Sequence, residues 1–121
     1  MPRVKSINLN NYTFGDSLFL KPAEIMAILS IARSCIDYYI RIGKLSCFRL
    51  RGSVVIKNPH KELYDFIDTL PVVLDKKDVQ NFFQNKIRIK SLDMEKMGGY
   101  YLLDENRWYI TREDFIDFLF S

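Results

Sequence analysis

The chain has 121 residues, 48% of them hydrophobic, enough to bury one compact body and too few to surround a large catalytic cleft. No apolar run reaches the roughly 18 residues of a membrane span, and the opening MPRVKSINLN lacks the apolar core of a signal peptide, so the expected place is the cytoplasm, with no membrane partner. The net charge of +3 is unevenly held, with eight Lys and Arg against five Asp and Glu in residues 17–70 but eight against nine in 71–121, which sets the first half toward a polyanionic partner.

Residues 1–16 are polar and Asn-rich with Val4, Ile7, Leu9, Tyr12 and Phe14 interspersed, and read as either a loose arm or an added strand. A first helix follows in LKPAEIMAIL, where Pro22 suits the first helical position and Glu24 favours the positive N-terminal end. A second helix is predicted in SIARSCIDYYIRIGKL. Ile31, Ile36 and one of Tyr39 or Ile40 form its core face, while Arg33, Ser34, Asp37, Tyr38 and Arg41 point away. Gly43 supplies the left-handed stop.

LSCFRLRGSVVI then reads as a hairpin turning at Arg51-Gly52-Ser53, with Arg49 and Arg51 alternate on one strand face. NPHKELYDFI is expected to be a helix capped at Asn58, with Pro59 behind the cap and Phe66 on its buried stripe. The junction DTLPVVLDKK has no Gly/Ser linker, and Pro71 to Leu74 is apolar enough to want burial.

From here the pattern repeats. LDKKDVQNFF aligns with LKPAEIMAIL, setting Val79, Phe82 and Phe83 on Ile25, Ile28 and Leu29, with Asp75 as cap and Asp78 three residues on. YYLLDENRWYI is a second hairpin around Asp104-Glu105-Asn106, and TREDFIDFL a last helix capped by Thr111, with Phe118 on its buried stripe and Phe120 left for a partner. Trp108 reads as a core anchor. The chain is thus an arm (1–16) and two copies (17–70 and 71–121) of helix, turn, helix, hairpin, helix: an α+β fold packed as one compact body.

Two helices joined by a tight turn and followed by a two-stranded wing suit duplex DNA, the second helix entering the major groove while the first braces against the backbone. Arg33 and Arg41 can grip guanine edges or phosphates bidentately, and Ser34 or Tyr38 can hold phosphate oxygens. Cys35, Cys47 and the lone His60 fall short of any metal-ligand spacing, so neither a metal nor a cofactor is expected, and both cysteines read as reduced. There is no glycine-rich phosphate loop and no recognisable nucleophile and base, so the chain reads as no enzyme.

LKPAEIMAILSIARSCIDYYIRIGKL with RLRGSVVIKNPHKELYDFI, and NRWYITREDFIDFL in the second copy, resemble the excisionase and MerR-type winged helix-turn-helix domain. The resemblance implies a tandem winged helix-turn-helix protein with helix 33–41 in the major groove and wing 48–55 at the minor groove or backbone. Carried over by position, it places DNA contact on Arg33, Ser34, Tyr38, Arg41, Lys44, Arg49 and Arg51. The family commonly has Tyr-Arg where this chain has Asp37-Tyr38. Lys86, Arg88 and Lys90 of the second copy either touch phosphate or belong to a packing partner, since its hairpin turn is acidic.

With no long dimerisation helix or effector domain in the sequence, the expected role is an excisionase-like or regulatory protein on the nucleoid. Its expected partner is double-stranded DNA, together with either further copies of itself or another protein, and without a small-molecule effector. A rival reading makes the tandem copies a protein-interaction module with the second copy as the partner surface.

Overall fold

The computed structural model describes residues 7–50 and 53–121. In chain order it holds β1 (Phe19–Leu20), α1 (Pro22–Leu29), α2 (Arg33–Arg41), β2 (Cys47–Leu50), β3 (Ser53–Lys57), α3 (Tyr64–Ile67), β4 (Val73–Asp75), α4 (Lys76–Phe82), α5 (Ser91–Lys96), β5 (Tyr100–Leu102), β6 (Arg107–Thr111) and α6 (Arg112–Phe120). One order of elements, strand, two helices, two strands, helix, therefore occurs twice. Each half forms a three-stranded antiparallel sheet, β1-β3-β2 and β4-β6-β5. β1 and β4 add a strand to each half beyond the hairpins expected from sequence. They are two and three residues long, too short for an alternating pattern to register.

Local chemistry accounts for the helix ends. Pro22 opens α1, and Ser30, in the left-handed region at φ 54°, closes it. Asp75 and Asp78 form a reciprocal capping box on α4, the Asp78 amide donating to Asp75 at 2.8 Å and the Asp75 amide to Asp78 at 3.1 Å. The Thr111 hydroxyl accepts the Asp114 amide at 3.2 Å and starts α6.

Two expectations are corrected by the fold. The helix predicted from Asn58 begins only at Tyr64, because Asn58 is fully buried and binds carbonyls of the loop before β1 instead of capping a helix. Val72 and Val73 are exposed, while Leu70 and Leu74 on either side of them take the buried positions.

The larger of two core clusters draws on both halves: Leu18, Phe19, Leu50 and Val55 meet Leu74, Val79, Phe83, Met94, Ile110 and Phe115. Phe19 lies at the join, its ring centroid 4.9 Å from Phe83, 5.6 Å from Phe82 and 5.7 Å from Phe48. Its amide donates to Gln84 Oε1 at 3.1 Å, a further tie between the halves.

The smaller cluster packs Ile7, Leu9 and Phe14 against Ile25, Leu29, Ile36, Tyr39 and Leu45. The described part of the N-terminal arm is therefore neither loose nor a strand. It lies across α1 and α2 and includes one turn of 3-10 helix at Leu9–Asn11. Among the described residues no helix is long and apolar enough to cross a membrane.

Candidate nucleic-acid interface

α2 owes its orientation to its apolar stripe. Ile36 and Tyr39 are buried with Cys35 and Ile40 half-buried beside them, so Arg33, Ser34, Asp37 and Arg41 are turned to solvent. Burial pushes the Tyr39 phenol above its ordinary value and holds it neutral in the core. At the first turn Ala32 stands as N-cap without a side-chain bond, which leaves leading amides of α2 open to an anion. Gly43 then turns the chain away at φ +81°.

The exposed side chains are held by one another. Arg33 Nε donates to Asp37 Oδ1 at 3.3 Å, one helical turn on. The Arg41 guanidinium lies over the Tyr38 ring, 5.5 Å from its centroid. Asp37, the residue least suited to phosphate, is thus the group that orients Arg33. The four-residue spacing is plain in the sequence, but nothing there says that the ion pair forms.

Arg49 is exposed on β2 opposite Val54, and Leu50 pairs with Ser53 to close the hairpin. Arg51 lies outside the described residues. Arg33, Ser34, Tyr38, Arg41 and Arg49 thus all lie on α2 and the hairpin that follows it. Lys44 has another use. Its ammonium donates to the Ile7 carbonyl and lies 5.2 Å from the Tyr39 ring centroid, so it fastens the arm onto α2.

The second half arranges its cations differently. Lys86 Nζ is 2.7 Å from Glu24 Oε1, a link from the α4–α5 connection to α1. Arg88 and Lys90 are exposed but also precede α5 rather than lying on it, and the Lys90 amide is held by Asp93 Oδ2 at 2.8 Å. α5, the counterpart of α2, exposes Ser91, Leu92, Glu95 and Lys96 and carries no arginine.

Lys76, Lys77 and Arg107, which the sequence pattern does not single out, border a cleft of about 490 Å³ with Ser91, Tyr101 and Trp108. Trp108 is half-buried there, packed partly on the core and 5.5 Å from the Tyr101 ring. The hairpin tip is acidic and exposed at Asp104 and Glu105, and the Tyr109 hydroxyl donates to Glu105, a bond that raises the Tyr109 phenol above its ordinary value.

Because Lys86 is engaged by Glu24 within the fold, Lys86→Met is expected to cost up to about 1 kcal/mol of stability and to leave any duplex affinity unchanged, as chemical denaturation and a duplex titration of the same protein would show.

Among the described residues no group of three or more His, Cys, Asp or Glu side chains is placed to hold a metal ion. Cys35 and Cys47 are free and half-buried. His60 is exposed, its ring edge-on to Phe14 at 5.1 Å and Nε2 3.1 Å from the Leu9 carbonyl. No protein-family model matches the chain, and no curated protein or solved structure matches it either.

Proposed function

We propose that the chain is a non-enzymatic, tandem winged helix-turn-helix protein that binds duplex DNA in the cytoplasm, as an excisionase-like or transcriptional regulator. One observation carries this reading: α2 turns Arg33, Ser34 and Arg41 outward from a buried stripe, with Tyr38 beneath Arg41, and the hairpin that follows exposes Arg49. In this reading Arg33, steered by Asp37, meets a guanine edge in the major groove. Arg41, Arg49 and the open first turn of α2 meet phosphates.

Titration of a labelled duplex across a salt series tests it. The log affinity is expected to fall with log salt at about −0.9 per phosphate neutralised. Arg33→Ala is expected to cost roughly 1–3 kcal/mol on the preferred site and to relax preference at one position. Arg49→Ala is expected to weaken all sequences alike and to flatten the slope by about one unit. If neither substitution changes duplex affinity, this face does not bind DNA.

A second reading is favoured by the second half itself. α5 offers Leu92 and Glu95 where α2 offers arginines, and the following hairpin exposes Tyr100 to Leu103 above an acidic tip. In this reading the first copy engages DNA and the second engages protein.

A further inference from the structure

We propose that two copies of the chain pair edge to edge through β5, antiparallel about a two-fold axis at Tyr101, joining their second sheets into one of six strands. The pairing rests on reading the second half as a protein-contact surface and is independent of the DNA reading of the first. β5 is an edge strand, paired only with β6. It and the residue after it are uncharged and open, with Tyr100, Tyr101, Leu102 and Leu103 exposed at 37, 39, 40 and 85%. β2, the corresponding edge of the first sheet, is guarded: Arg49 sits on it, and Phe48 is turned into the shared core.

The occupant follows from the register. With Tyr101 opposite its own copy, Tyr100 faces Leu102 of the other chain and Leu103 faces Gly99. On one face, Trp108 already pairs with Tyr101 across the hairpin, so the row would continue as Trp108, Tyr101, Tyr101, Trp108 through the two copies. Continued past the strand, the same register brings Glu105 over Met97 and Asp104 over Gly98 of the other copy, beside Lys96, which is exposed at the end of α5. The acidic tip of each hairpin thus meets a cation of its neighbour at both ends of the pair. A strand this short falls below the ~1,200 Å² of a stable interface, so the pairing is weak and concentration-dependent in free protein.

Sedimentation equilibrium of the full chain without DNA, from about 10 μM to about 1 mM, tests the proposal over the range expected of so small an interface. The average mass should rise toward twice the chain mass. Leu103→Lys should weaken the rise, and Leu102→Lys with Leu103→Lys should remove it, both with the thermal midpoint nearly unchanged.

Lys96→Glu should weaken pairing in the wild-type background and strengthen it in a Glu105→Lys background, a change of sign that only apposed charges produce. A chain monomeric throughout, a dimer indifferent to Leu102 and Leu103, or a Lys96→Glu effect of the same sign in both backgrounds overturns the proposal. A chain that binds duplex but stays monomeric overturns only this pairing. One that pairs but does not retain duplex overturns only the proposed function.

Discussion

Phe83→Ala is expected to cost about 3–5 kcal/mol and to lower the thermal midpoint by roughly 15 °C, far more than the loss of any surface side chain. Phe83 is completely buried at the end of α4. It touches rings from both halves: Phe19 at 4.9 Å and Phe48 at 6.0 Å from the first, Phe82 at 5.7 Å and Phe115 at 6.0 Å from the second. A cavity there removes contacts on each side of the join, and marginal stability of about 5–15 kcal/mol leaves little reserve.

Both halves should therefore melt together. Far-ultraviolet dichroism, which sees the whole chain, and Trp108 fluorescence, which sees the second half, should give one coincident transition in wild type and variant. Separate transitions would mean that the two halves do not share a core.

Asn58→Ala is expected to cost about 3 kcal/mol, because the loss is of several satisfied groups rather than of volume. The fully buried Asn58 amide nitrogen lies 2.8 Å from the Ser17 carbonyl, 3.2 Å from that of Gly15 and 3.4 Å from that of Phe14, and its oxygen accepts the His60 amide at 2.9 Å. One side chain thus closes the loop that carries the N-terminal arm into β1. Alanine strands those carbonyls away from water, and Asn58→Asp should be no better, since it sets an anion against carbonyl oxygens. Denaturant unfolding measures the loss; a cost under about 1 kcal/mol would mean that water replaces the side chain.

Nothing local in the sequence reveals this clamp. Asn followed by Pro is a strong helix-start signal, and no pattern shows that Asn58 has four partners, three of them more than forty residues upstream. Non-local hydrogen bonds of this kind leave no periodic trace. The same holds for Lys86 with Glu24, and for Lys44 with the Ile7 carbonyl: both read as free surface cations until the fold brings their partners near.

Local signals were legible. The spacing of Ile36 and Tyr39 set the face of α2, Gly43 marked where it stops, the Asp75 and Asp78 pair marked the start of α4, and Thr111 the start of α6. The repeat was also readable, because it rests on apolar offsets that recur in one chain. Its functional divergence became visible only on the exposed faces, where arginines on α2 stand against Leu92 and Glu95 on α5.

Selection from a randomised duplex library at near-physiological salt, with sequencing of the retained fraction, tests the central claim most directly. Enrichment of a short motif by the wild-type chain is predicted, with preference at one position lost in Arg33→Ala. Retention without enrichment would contradict base reading by α2 and leave only backbone binding. No retention of duplex at all would contradict the DNA-binding function itself.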